Sequence, residues 1–109
     1  MARDEIPPGT LDMMILKTLG RGRQMHGFEI ANAIQRLSED ILQVEEGSLY
    51  PALQRMLIKG WVKAKWGATA ENRRARYYRL TLAGRRQLEI EVSQFERVMQ
   101  AVARVIQTT

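Results

Sequence analysis

The 109-residue chain has no cysteine, a single histidine (His26), three prolines and only 6 % aromatic residues. The missing cysteine excludes disulfides, thiolate nucleophiles and cysteine-based zinc sites, and agrees with a reducing compartment. One histidine cannot build a multi-histidine metal site, and the chain holds no aligned nucleophile–base–carboxylate set. The acidic pairs Glu39-Asp40 and Glu45-Glu46 are adjacent in sequence, which turns their carboxylates to different sides and removes acid/base geometry. Gly20-Arg21-Gly22 lacks the remainder of any phosphate-cradling loop. No apolar run is long enough to span a bilayer, and Met1 to Pro8 lacks the apolar stretch of a secretory signal. The expectation is therefore a non-enzyme without metal or cofactor, acting in the cytoplasm at the nucleoid, with no membrane partner.

What the chain does have is a concentrated positive charge. Residues 1–60 hold seven Lys/Arg against eight Asp/Glu, and residues 81–109 hold four against three. Residues 61–80 hold Lys63, Lys65, Arg73, Arg74, Arg76 and Arg79 against Glu71 alone, a net +5 that equals the charge of the whole chain. A basic segment this focused is the footprint of a phosphate-backbone binder.

Periodicity divides the chain into a flexible arm over 1–9, a globular unit over 10–82 and a C-terminal helix over 83–109. Thr10 is placed to cap a first helix carrying Leu11, Met14, Ile15 and Leu19. A second helix starts near His26-Gly27 and presents Ile30, Ala31, Ile34 and Leu37 before ending around Ser38 to Asp40. The third carries Leu49, Ala52, Leu53, Met56 and Leu57 at helical spacing and stops at Gly60. Pro51 fits its first turn if Ser48 is the cap, whereas a start at Glu46 puts the proline inside the helix.

Beyond Gly60 the period becomes two. Val62, Ala64 and Trp66 alternate with Lys63 and Lys65, and a second run over Arg76 to Leu80 completes a hairpin with a basic tip, Tyr78 facing the core. Thr81 then caps a long helix in which Leu88, Val92, Phe95, Met99, Val102 and Ile106 recur at alternating spacings of four and three, the seam of a helix that joins a second copy. The fold class is mainly α with a small β-hairpin: a winged helix-turn-helix followed by a dimerisation helix.

Gly9-Thr10-Leu11, His26-Gly27-Phe28-Glu29-Ile30, Gly47-Ser48-Leu49-Tyr50-Pro51-Ala52-Leu53, Lys59-Gly60-Trp61-Val62 and Arg76-Tyr77-Tyr78-Arg79-Leu80-Thr81-Leu82-Ala83-Gly84 follow in this order. Together they resemble the PadR family of regulators, in its compact subgroup with one short C-terminal helix. Phe28 departs from the tyrosine usual in that family. The resemblance implies a homodimeric transcriptional repressor on an inverted-repeat operator in double-stranded DNA, released in some members by a small molecule.

In this frame Ser48, Tyr50, Pro51, Gln54 and Arg55 of the third helix are the groove-facing candidates, with Gln54 suited to adenine and Arg55 to guanine or phosphate. Lys63, Lys65, Arg73, Arg74 and Arg76 are the wing's phosphate contacts. Trp61, Trp66 and Phe95 are candidates for a pocket that takes a small aromatic or cationic effector. Rival readings are a small-molecule sensor and a winged-helix protein-interaction module with only non-specific DNA affinity.

Overall fold

The structure, a computed structural model, describes residues 6, 7 and 9–108. Four helices and a three-stranded antiparallel sheet follow in the order α1 (Leu11–Leu19), β1 (Met25–His26), α2 (Gly27–Leu37), α3 (Glu46–Lys59), β2 (Val62–Ala68), β3 (Arg74–Leu80) and α4 (Leu82–Gln107). The order of strands is β1-β3-β2.

The core is the apolar face of three short helices closed by the sheet. Ile15, Leu16 and Leu19 of α1, Ile30 and Ile34 of α2, and Leu49, Ala52, Leu53 and Met56 of α3 meet Val62 and Tyr78 from the hairpin. None of these helices is long enough to be stable alone, so their shared apolar faces decide the fold. Tyr78 is buried, as its alternation with Tyr77 predicts.

Helix ends follow from local chemistry, with two departures. His26 caps α2: its Nδ1 accepts from the Glu29 amide at 3.3 Å, while the Glu29 carboxylate accepts from the His26 amide at 3.1 Å. The reciprocal pair identifies the lone histidine as a helix-start residue. α3 ends at Gly60, whose φ of +76° is the left-handed turn that lets Trp61 N–H donate to the Met56 carbonyl. The first departure is Thr10, which occupies the cap position of α1 but does not cap it. Its hydroxyl donates instead to the Pro7 carbonyl at 2.7 Å.

The second is Pro51. α3 starts at Glu46, not after a Ser48 cap, so the proline lies inside the helix. It cannot donate to the Gly47 carbonyl one turn back; that residue is exposed, so water can take the proline's place. Most of the expected arm, residues 1–5 and 8, lies outside the described residues. Its described end is docked, since Ile6 packs against the core.

α4 begins inside the globular unit and leaves it, so no break separates residues 82 and 83. The Thr81 hydroxyl accepts from the Gly84 amide at 3.0 Å and donates to the Gly60 carbonyl at 2.6 Å, joining the helix start to the end of α3. Leu88 packs back on the core. Beyond Val92 almost every residue is exposed, including Phe95, Val98, Met99, Val102, Val105 and Ile106. A 26-residue helix is about 39 Å long, so more than half of α4 projects with an unpartnered apolar stripe.

Candidate nucleic-acid interface

The buried residues of α3 point to one side, and by helical rotation Gly47, Pro51, Gln54 and Ile58 lie on the opposite, solvent side. Ser48 and Arg55 flank this stripe on one edge and Tyr50 on the other. All five candidates from α3 are exposed, so the helix presents them together. Ile58, 76 % exposed on this same stripe, is not among the residues that the sequence singles out. An apolar side chain on a polar face breaks the amphipathic pattern, and that break is the available signal.

Neighbouring elements hold both flanks. Arg55 Nη2 donates to Asp12 Oδ1 of α1 at 2.9 Å. Tyr50 lies over Gly27 at the start of α2, so closely that a Cβ there would sit 2.8 Å from the ring and from the hydroxyl. Burial against α2, followed by the nearby charge of Glu46 and then Tyr78, raises the Tyr50 phenol above its ordinary value. Tyr50 is therefore a neutral hydroxyl-bearing ring, half packed and half presented.

The strand pleat divides the wing cations, which the sequence presents as one group. Register pairs Lys63 with Arg79, Lys65 with Tyr77, Trp66 with Arg76 and Ala68 with Arg74. Directly opposed residues share a face, so Arg74, Arg76 and Trp66 lie on the side of buried Tyr78, toward α2 and α3. Lys63, Lys65 and Arg79 lie on the other. The five predicted phosphate contacts therefore cannot all meet one backbone from one side. Arg79, absent from the predicted set, completes the outer face.

On the inner face, Arg74 Cζ is 4.3 Å from the centroid of the Trp66 ring and Arg76 Cζ is 6.0 Å from it. Trp66 is 56 % exposed and serves as a platform for guanidinium groups. Tyr77 is engaged in the sheet: its hydroxyl donates to the Ala68 carbonyl and its ring meets His26 edge-on. Between α2, Tyr50 and the inner face of the wing runs a cleft of about 840 Å³ lined by His26, Phe28, Asn32, Trp66, Arg73, Arg74 and Arg76. Glu29 and Glu71 also line it, but Glu29 is paired with Arg23 at 2.9 Å. Among the described residues Arg73, Arg74 and Arg76 form no ion pair, so their charge faces the cleft.

The proposed effector trio is not gathered within one chain. Trp61 packs against the core at the root of β2, with Lys59 stacked on it at 4.6 Å. Trp66 is five residues further along an extended strand, on the cleft. Phe95 lines a separate apolar recess of about 370 Å³ with Pro7, Thr10, Met13, Val98 and Met99. The dimerisation candidates also divide: Leu88 is held by its own domain, Phe95 and Met99 border the recess beside the start of α1, and Val102 and Ile106 are exposed further along α4. No group of three or more potential metal ligands occurs among the described residues, and no described helix is long and apolar enough to cross a membrane.

The sequence profile of the transcriptional regulator PadR-like family matches residues 15–90, from the core of α1 to the first turns of α4. The chain belongs to the PadR-like family of transcriptional regulators. Solved structures agree with this membership. A transcriptional regulator from Clostridium thermocellum superposes with a TM-score of 0.82 at 25 % identity, covering 91 % of this chain and 95 % of its own. A PadR-like transcriptional regulator from Bacillus cereus gives 0.77 at 26 %, with 93 % and 95 % covered. A PadR family transcription regulator from Clostridium difficile gives 0.76 at 28 %, with 90 % and 99 % covered. In PadR-like terms, α2 and α3 form the helix-turn-helix and β2–β3 the wing.

Proposed function

We propose that this PadR-like regulator is a homodimeric repressor that reads an inverted repeat in double-stranded DNA. The observation that carries this reading is a shared surface. Tyr50, at one edge of the exposed face of α3, and the arginines of the wing line one basic cleft, and among the described residues no acidic residue pairs with those arginines. Gln54 and Arg55 supply base-edge donors, Ser48 and the Tyr50 hydroxyl supply contacts to phosphate or sugar, and Pro51 and Gly47 allow close approach. Arg73, Arg74 and Arg76 neutralise phosphates beside the groove. Two copies joined through Phe95, Met99, Val102 and Ile106 of α4 place two recognition helices on one duplex, with half-sites about 34–36 Å apart.

In this reading a small aromatic or cationic effector that releases the DNA would bind at the Phe95 recess. Neither tryptophan lines that recess, so titration calorimetry is the measurement suited to it.

Selection of duplexes from a random library tests the main reading. The expected winner is a pseudo-palindrome bound at least about a thousandfold more tightly than a scrambled duplex. With three free wing arginines per copy, log affinity should fall with log salt at a slope of about −5. Equal, weak binding to both duplexes would overturn the proposal and favour a protein-interaction role for the fold.

A further inference from the structure

We infer that Asp12 is a positioning residue for DNA recognition, holding Arg55 in the orientation from which it reads a base pair; the inference rests on the DNA-binding reading above. The two residues lie 43 positions apart in sequence and on different helices, yet Arg55 Nη2 donates to Asp12 Oδ1 at 2.9 Å. Arg55 is the one cation among the α3 candidates, and its side chain is half exposed at 53 %, whereas that of Asp12 is 24 % exposed. A half-exposed pair of this kind contributes little to stability. Its consequence is orientation.

An arginine carries five N–H donors in a rigid plane. One donor on Asp12 leaves the others for an acceptor in the groove, and the long side chain enters the complex with its rotamer freedom already restricted. Asp12 itself stands in the first turn of α1, where the helix dipole favours a carboxylate. The carboxylate also opposes phosphates nearby and so weakens binding to duplexes in which Arg55 finds no base partner. Asp12 therefore acts on the difference between right and wrong sequence more than on affinity as such.

The test uses the full chain, its selected operator and a scrambled duplex, with thermal unfolding measured alongside. Asp12→Asn is expected to cut the ratio of operator to scrambled affinity by about fivefold or more, with the affinity for scrambled DNA unchanged or raised. The thermal midpoint should hold. Arg55→Lys keeps the charge and leaves α1 untouched, and it should show the same loss of ratio with an unchanged salt slope, independently of how Asp12→Asn folds. In an Arg55→Ala chain, adding Asp12→Asn should leave the ratio where Arg55→Ala alone puts it. A ratio retained in Asp12→Asn, or a further loss of ratio in the double variant, overturns the positioning role while leaving the DNA-binding reading intact. A wild-type chain without any sequence preference overturns both, and that result precedes every variant.

Discussion

Glycine to alanine inside a helix ordinarily stabilises a protein, by about 0.5–1 kcal/mol, because alanine loses less backbone freedom on folding. Gly84 should do the opposite. It lies in the first turn of α4, buried where that helix crosses the root of the hairpin. A Cβ built there falls well inside van der Waals contact of the Trp61 carbonyl oxygen and 2.7 Å from Leu80 Cδ1. Leu80 can rotate away; the carbonyl cannot. It already accepts the Thr81 amide at 3.0 Å, and Thr81 is tied to both Gly60 and Gly84.

Relief therefore requires α4 to lift from the Trp61 backbone, at an overpacking cost of about 3 kcal/mol or more. The clash outweighs the propensity gain, for a net loss of at least about 2 kcal/mol from a marginal total of about 5–15 kcal/mol. Gly47, in the first turn of α3, is the internal control, since a Cβ there meets nothing within 4 Å. Urea unfolding of both alanine variants measures the contrast, read as midpoints at a shared slope. Gly84→Ala should lower the midpoint and Gly47→Ala should hold or raise it. Equal stability of Gly84→Ala and wild type would refute the argument that backbone contact, rather than propensity, sets the residue at 84.

Phe95→Asp on α4 should turn a dimer into a monomer in sedimentation velocity. It removes a large apolar side chain from each half of the proposed two-fold interface and places like charges against each other, weakening association at least about a hundredfold; an unchanged dimer would show that another face joins the copies. For Tyr50, whose phenol is raised above 10.0 by burial, the folded state holds the proton more tightly than the unfolded state. That contribution is complete below about pH 10 and disappears as pH rises through the raised value. Tyr50→Phe should accordingly flatten the fall of the unfolding midpoint above about pH 10 relative to wild type, and parallel curves would show that the ring's packing leaves its titration unaffected.

Much of the molecule is readable in one dimension because local periodicity carries it. The three short helices, the hairpin with Tyr78 inward, the Gly60 stop and the α4 seam each follow from residues within a few turns of one another. Strand β1 is not legible, because two residues, Met25 and His26, contain no period and are a strand only through pairing with Tyr78 and Tyr77. Thr10 misleads for a related reason: its hydroxyl has a choice between the helix start and the Pro7 carbonyl, and the path of the chain before the helix decides it.

What the sequence by itself determined is which side chains are available to the proposed DNA and dimer contacts, namely the outward residues of α3, six cations within twenty positions, and an apolar stripe on a long helix. Which of them act together was decided only by tertiary structure. Parity along β2 separates Lys63 and Lys65 from Trp66, but only the register with β3 joins Trp66 to Arg74 and Arg76 and puts Arg79 with the lysines. Helix α3 exposes Arg55, but only the packing of α1 brings Asp12 to its guanidinium. Helical and strand periods are properties of the local backbone, set by the residues themselves. A contact between residues 43 positions apart depends on where the whole core places its elements, and no local pattern encodes that distance.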